Sequence, residues 1–227
     1  VRQSEFSRIQ ARFKVHLSLT SSSADEVIQK RLLKKTNNAT QLLEGIYTQS
    51  DSILRNLFTF KDAMLDIKGY SGPQEFAINF PFVPYQFLLI QKIFSEIRKH
   101  GNAGKHYSGA ERSMLDGFQI AVKKIQSGDE YNLAPLFSFY DSIHEFLDGS
   151  IRRVIERCAN AAATGAGIEP LDVDVLKLLY LIRYVDDIKA NVDNITTLMV
   201  DDIRADKITM RKQIQESLDR LVRENYI

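Results

Sequence analysis

Apolar residues recur through most of the chain at the three- and four-residue spacing of amphipathic helices. After Lys35 this spacing predicts a long helix, and it predicts further helices over about Pro135–Leu147 and Ser150–Ala163. Polar loops alternate with these segments, so the pattern predicts an all-α bundle. The positions expected to face its core are Leu43, Tyr47, Ser50, Leu54 and Leu57, then Phe87, Ile90, Phe94 and Ile97, then Leu115, Phe118, Val122 and Ile125.

Short local signals mark where the helices begin and where the pattern breaks. Ser23 and Ser108 each stand three residues before a glutamate, the spacing of a capping box. Pro84 suits a first helical turn, because its fixed φ angle is already helical. The segment Gly69–Pro73 (GYSGP) interrupts the helical pattern and predicts a turn.

Near the start of the chain, Ala11–Leu19 alternates strictly between apolar and polar residues. The alternation predicts a half-buried β-strand, with Arg12 on its polar face. A single strand does not make a sheet, so we expect residues 1–20 to be the end of a larger α/β core that continues before Val1. The residues predicted to face inward are Phe13, Val15, Leu17 and Leu19.

A second unit is predicted after the small, turn-forming segment Ala161–Pro170 (AAATGAGIEP). A helix, a short helix over Asn194–Met199 and a longer helix opening after Thr209 follow in the order of a winged helix-turn-helix. The hairpin that forms the wing is missing, which indicates truncation. The apolar stripes are Leu171, Val175, Leu178, Ile182 and Val185, then Met210, Ile214, Leu218 and Leu221.

Composition narrows the class of protein. The chain has 227 residues, of which 44% are hydrophobic and 26% charged, which is ordinary for a soluble globular protein. No apolar run approaches the roughly 20 residues of a membrane span, and the polar start has no apolar signal core. Cys158 is the single cysteine, which fits a reducing compartment and a helix-packing role. We therefore expect a cytoplasmic protein without a membrane partner.

The charge distribution argues against a generally basic nucleic-acid module at the C-terminus. Ile168–Ile227 carries 9 basic and 12 acidic residues, a net charge of −3. The last helix also pairs its own charges at i,i+4, which suits a phosphate-lined groove poorly and favours protein contact over DNA contact. The expected pairs are Lys212–Glu216, Glu216–Arg220 and Asp219–Arg223.

No catalytic motif is visible. The three acidic pairs, Asp172/Asp174, Asp186/Asp187 and Asp201/Asp202, have no histidine nearby in sequence, so no metal site is predicted. Gly104-Lys105 is not a Walker A loop, because a lysine stands where the first glycine is needed and a histidine stands where Ser or Thr is needed.

The segment Arg98–Arg112 is the strongest candidate site. It holds four basic residues, Lys99 and Lys105 among them, against one acid, a local net charge of +3. Two interpretations stay open: a solvated loop, or a phosphate site where two helix ends meet. Arg112 lies three residues before Leu115, hence on the buried side of its helix, and in a first turn where the dipole disfavours a cation by about 0.3–1 kcal/mol. An anion beside it, a carboxylate or a phosphate, would remove that penalty.

Several segments together resemble the P-loop ATPase family of BREX phage-defence systems (BrxC, related to PglY). The resemblance covers nearly the whole chain. It rests on RFKVHLSL (12–19), SADEVIQKRLLKK (23–35), FPFVPYQFLLIQKIF (80–94), IRKHGNAGKH (97–106), ERSML (111–115), DVLKLLYLIRYV (174–185) and NITTLMVDDI (194–203).

The resemblance implies a bacterial AAA+-like ATPase whose phosphate loop and magnesium-binding strand lie before Val1. Arg12 then corresponds to an arginine finger and Arg112 to a sensor arginine, both catalytic. Lys99, Lys105 and Arg112 would contact the nucleotide in a lid. ATP and Mg are implied as cofactors of the intact protein, with neither expected in this segment alone, which lacks Walker A and Walker B motifs. Other BREX proteins and further copies of the chain are the implied partners.

The combined expectation is a mainly α protein in three parts. Residues 1–20 end a truncated AAA+-like core with one leading β-strand, residues 21–165 form a helical lid-type bundle, and residues 166–227 form a winged-helix-like three-helix domain that lacks its wing. The expected function is a nucleotide-responsive lid that couples ATP binding and hydrolysis to assembly of the defence complex. The alternatives are a non-enzymatic DNA-binding module and a protein scaffold.

Overall fold

The computed structural model describes residues 21–64, 67–100 and 110–227. The predicted strand Ala11–Leu19, with Arg12, lies outside these residues. Within the described ranges the chain is mainly helical and contains no β-strand, only an isolated antiparallel bridge between Asn132 and Asp202. The prediction of a helical bundle is therefore confirmed for this part of the chain.

The apolar face predicted for the second helix is confirmed, but the predicted cap at Ser23 is wrong, because Ser23 lies inside the first helix. Helix α1 (Ser21–Val27) continues as a π-helical turn (Ile28–Leu32), and α2 spans Asn37–Leu57. Thr36 caps α2, because its hydroxyl accepts a hydrogen bond from the Ala39 amide at 3.3 Å. Four of the five predicted core residues of α2 are buried, and Ser50 is half-buried. Helix α3 (Pro73–Asn79) begins where the predicted turn ends and packs on α2.

Helices α4 (Pro84–His100) and α5 (Ala110–Ile125) flank the segment 101–109. The predicted stripe of α4 is buried at all four positions, and on α5 Phe118 is fully buried. Aromatic rings fill the space between these helices: Phe82 and Phe118 meet edge to face at 4.8 Å between centroids, and Phe87 stacks on Phe118 at 4.9 Å. This cluster fixes the two helices against each other.

The helix expected over Pro135–Leu147 is broken into short pieces. A 3-10 turn (Leu136–Phe139), helix α6 (Tyr140–Ile143) and a second 3-10 turn (His144–Phe146) follow one another. Side chains explain the tightening, because the Ser138 and Ser142 hydroxyls donate to carbonyls three residues back, at 2.6 and 2.7 Å. Such local bonds compete with the i→i−4 bonds of an α-helix.

The predicted boundary segment forms a tight connection between α7 (Gly149–Thr164) and α8 (Pro170–Ile182). Gly165 ends α7 with a left-handed φ of 66°, and its amide donates to carbonyls of the last turn. Helices α7 and α8 pack on each other, and the division at residue 165 stays a prediction. Cys158 is fully buried in α7, as expected of a packing residue, and burial raises the pKa of its thiol to about 11.

The last two helices, α9 (Val192–Leu198) and α10 (Lys207–Arg223), pack on each other and on α8. Polar side chains from them hold the loop after α2. The Asn194 amide group accepts from the Lys61 N–H at 2.8 Å and donates to the Lys61 and Lys189 carbonyls at 2.9 Å each. The Lys207 ammonium donates to the Asn56 and Leu57 carbonyls at 2.8 and 2.9 Å, at the C-terminal end of α2.

Candidate functional site

The structure describes one of the predicted phosphate-binding residues in full. Lys99 lies in the last turn of α4 and is exposed. Arg12 and Lys105 lie outside the described residues. The backbone at Arg112 belongs to the first turn of α5, as the sequence predicted, while its side chain lies outside the description. Whether these four residues meet stays a prediction.

The basic end of α4 is partly neutralised by one carboxylate. Lys99 donates to Glu96 at 2.8 Å, and the His100 Nε2 lies 3.8 Å from the other oxygen of the same carboxylate. The hydrogen bond from Lys99 is the main reason that the pKa of Glu96 is lowered. The His100 ring stacks on Tyr184, with centroids 4.8 Å apart. The positive field here is therefore weaker than a count of basic residues suggests.

Arg98 differs from its neighbours at this helix end. Its Nη2 atom is buried and has no hydrogen-bond partner among the described residues. Burial lowers the pKa of the guanidinium, although an arginine stays charged at every physiological pH. A buried cationic donor without an acceptor is costly, so an oxygen-rich anion would be stabilised beside it.

A second site lies between α8, α10 and the loop that joins α9 to α10. It is a pocket of about 410 Å³. Its walls are mostly apolar, and three aspartates and one arginine line it as well. The apolar wall residues are Phe137, Leu171, Met199, Met210 and Ile214.

The arginine in this pocket is already paired. Arg204 donates from Nε to Asp202 at 2.9 Å and lies 3.0 Å from Asp129, and its guanidinium stacks over the Tyr131 ring at 4.6 Å. The hydrogen bond from Arg204 is the main reason that the pKa of Asp202 is lowered. Arg204 and Asp202 therefore cancel each other, and neither is available to a ligand of opposite charge.

The other two carboxylates of the pocket are poorly compensated. The ion pair of Asp174 with Lys177 is long, at 3.4 Å, and Asp201 has no ion pair within the described part of the chain. Desolvation by the pocket surroundings raises the pKa of both carboxyls, and the negative charges of Asp202 and Asp174 raise that of Asp201 further. Asp201 is exposed as a whole residue, so solvent screens part of this effect.

In the sequence, Asp174 and Asp201 belong to two separate acidic pairs, and the sequence did not predict that they share a pocket. One signal was available for Asp174, which stands three residues after Leu171 and four before Leu178, on the predicted buried stripe. No pattern could place Asp201 beside it, because the two are brought together by the packing of α8 against the α9–α10 loop.

One of the three charge pairs predicted within α10 is confirmed. Lys212 and Glu216 lie 3.8 Å apart. The two other predicted pairs are wrong, because Arg220 turns toward α8 and binds Asp172, and Arg223 binds its neighbour Glu224 at 3.3 Å. Arg220 reaches a buried carboxylate in this way, a stronger partner than an exposed residue one turn away.

Among the described residues, no group of three or more His, Cys, Asp or Glu side chains is arranged to hold a metal ion. No helix in the same ranges is both long and apolar enough to cross a membrane.

In comparisons with known proteins, no protein-family model matches the chain. No solved structure matches it significantly either.

Proposed function

We propose that the chain is a nucleotide-responsive lid and interaction module of a BREX phage-defence P-loop ATPase in the cytoplasm. Its role would be to couple ATP binding and hydrolysis to assembly with other BREX proteins and with further copies of itself. The resemblance of the sequence motifs supports this proposal, and so does the mainly helical build of the described residues. The AAA+-like core and the winged-helix character of α8–α10 belong to the same proposal.

The main structural support for this proposal is that the Nη2 atom of Arg98 is buried. Two helix ends, of α4 and α5, flank a basic segment, and at one of them a guanidinium nitrogen has no acceptor among the described residues. A phosphate between these ends would accept from Arg98. Lys99 would add charge from the surface, because its bond to Glu96 is exposed and easily exchanged.

The remaining roles follow from the resemblance. Arg112, at the start of α5, would stabilise phosphate charge within one subunit, with Lys105 beside it. Arg12 would reach the nucleotide of a neighbouring subunit as an arginine finger. ATP and Mg would be the cofactors of the intact protein. The chain by itself would hydrolyse nothing.

ATP hydrolysis by the full-length ATPase tests this assignment. Arg112→Ala and Arg12→Ala should each lower kcat by about 100-fold or more. The loss in Arg12→Ala should be partly reversed in mixed oligomers with subunits that lack a functional phosphate loop, because those subunits supply the missing arginine. Lys123→Ala, an exposed charge at the far end of α5, is the matched control. Unchanged hydrolysis in folded Arg112→Ala and Arg12→Ala would overturn the proposal.

Binding of pyrophosphate to the isolated chain tests Arg98 directly. Pyrophosphate should raise the Tm of the wild-type chain and of Arg153→Met, an exposed arginine on α7. It should leave the Tm of Arg98→Met unchanged. Without pyrophosphate, Arg98→Met should be at least as stable as wild type, because it removes a buried donor that has no acceptor among the residues the structure describes. An equal response of all three proteins would contradict the role given to Arg98.

A protein scaffold is the second candidate function, and the face of α10 favours it over DNA binding. Ile208 and Val222 are exposed apolar residues near the two ends of that helix, at 82% and 58%. Between them, the basic residues Arg211, Lys212 and Arg220 each pair with a carboxylate of the chain. A DNA-binding module would instead show an affinity that falls steeply with salt and that depends on Lys212 and Arg223.

A further inference from the structure

The pocket between α8, α10 and the α9–α10 loop combines two properties that point to one class of ligand. Its walls include Leu171, Met199 and Met210, which offer apolar contact to a hydrocarbon chain. No short ion pair with another described residue neutralises its acidic residues Asp174 and Asp201. A ligand that fits both has a hydrocarbon stem and a positively charged end.

The site keeps a negative charge because the arginine beside it is already paired with other carboxylates. Arg204 pairs with Asp202 and Asp129, so it does not neutralise the two remaining carboxylates. A nucleic acid or a nucleotide would be repelled by them. A metal ion is disfavoured as well, since no described group of three acidic or histidine ligands converges here.

We propose that this pocket binds a long basic side chain, arginine or lysine, presented by a partner protein. The methylene stem lies along the apolar walls and the cationic head contacts Asp174 and Asp201. Met199 and Met210 suit this role, because thioether side chains adapt to the shape of an inserted stem. The cavity of about 410 Å³ falls within the size range of small-ligand sites. This inference does not depend on the ATPase proposal.

Nuclear magnetic resonance of the methionine methyl groups tests the site with defined probes. The intact chain, labelled at its methionine methyls, is titrated with Nα-acetyl-arginine amide, with Nα-acetyl-lysine amide and with the citrulline analogue, which keeps the shape of arginine but is neutral. The methyl signals of Met199 and Met210 should shift saturably with arginine, lysine or both, and at least fivefold more weakly with citrulline. Met64, 83% exposed and outside the pocket, is the internal control and should not shift.

Two charge-removing variants complete the test. Asp201→Asn and Asp174→Asn should each weaken binding of the basic probes at least threefold, whereas Asp186→Asn, an exposed carboxylate outside the pocket, should bind as wild type does. Both pocket variants keep the shape of the side chain, and the methyl spectrum itself reports whether they are folded. Equal shifts with arginine and citrulline, or undiminished binding in both pocket variants, would overturn the proposal. The stronger of the two basic probes identifies the preferred head group.

Discussion

Arg220 of α10 holds Asp172 of α8 through two parallel hydrogen bonds, from Nε to Oδ2 at 2.9 Å and from Nη2 to Oδ1 at 2.8 Å. The side chain of Asp172 has no exposed surface, and that of Arg220 is 17% exposed. Glu169 approaches the same guanidinium at 3.0 Å. Because Glu169 and Asp172 also form the capping box of α8, one arginine links the start of that helix to the end of α10.

Removing the arginine should destabilise the fold more than removing an exposed one. Arg220→Met leaves the Asp172 carboxylate buried without its cation, so we expect a loss of about 3 kcal/mol in the free energy of unfolding. Arg223→Met, on the same helix but in an exposed pair with Glu224, should cost less than about 1 kcal/mol. Urea denaturation followed by circular dichroism measures both. Equal losses would show that the buried pair contributes nothing specific.

The pair of Arg220 and Asp172 should also make the free energy of unfolding depend on pH in the acidic range. Burial alone would raise the pKa of Asp172, but hydrogen bonds from Arg220 and from the Glu169 backbone outweigh burial and lower it. A carboxyl whose pKa is lower in the folded state stabilises the fold above its unfolded pKa, and this contribution is lost as pH falls through the folded value.

Asp172→Asn should therefore be clearly less stable than wild type near pH 6, and the difference should shrink progressively below about pH 4. Free energies of unfolding from urea denaturation at a series of pH values measure this. Asp186→Asn, which replaces an exposed carboxyl, should show no such convergence. A gap between Asp172→Asn and wild type that stays constant down to pH 2 would contradict the prediction.

Helical periodicity predicted most of the buried faces correctly because each face is set by residues close in sequence. The stripe from Phe87 to Ile97 is buried at every predicted position, and in the stripe from Met210 to Leu221 Ile214 and Leu221 are buried while the other two residues are half-buried. The break within residues 136–146 was missed, since the apolar spacing there is helical while serine hydroxyls tighten the backbone.

Contacts across the chain could not be predicted in the same way. Arg220 was expected to pair with Glu216 one turn away, but its partner Asp172 lies 48 residues earlier. The pocket of Asp174 and Asp201 likewise depends on how α8 meets the α9–α10 loop. At the basic end of α4, the sequence showed the side chains of Lys99 and His100 but not that both approach the Glu96 carboxylate.

Asn194 should be among the most sensitive polar residues of the chain. It is fully buried, and its side chain makes all three of its hydrogen bonds to the backbone of Lys61 and Lys189. Asn194→Ala leaves these groups unsatisfied, so we expect a loss of about 2–4 kcal/mol. Hydrogen exchange should accelerate at the Lys61 amide in particular. Asn56→Ala, at an exposed position of α2, is the control and should change neither quantity appreciably.

In the free protein, the charged Asp201 carboxylate of the proposed pocket should lower the free energy of unfolding. The pKa of the Asp201 carboxyl is raised by desolvation and by the nearby charges of Asp202 and Asp174, so its charged form is disfavoured in the folded state. Above about pH 4 the folded state therefore binds more protons at Asp201 than the unfolded chain does, so the contribution of Asp201 to the free energy of unfolding falls as pH rises through this window.

Asp201→Asn removes that cost and should raise the Tm at pH 7 by about 1–2 °C, a small shift because the residue is exposed and solvent screens its charge. Near pH 3 the carboxyl is protonated in both states, and the variant should match wild type. Differential scanning calorimetry at the two pH values measures this. Nα-acetyl-arginine amide should narrow the gap at pH 7, because it binds wild type more tightly than the variant and therefore stabilises wild type more. If the variant were less stable than wild type at pH 7, the Asp201 carboxylate would stabilise the fold of the free protein, which contradicts the prediction.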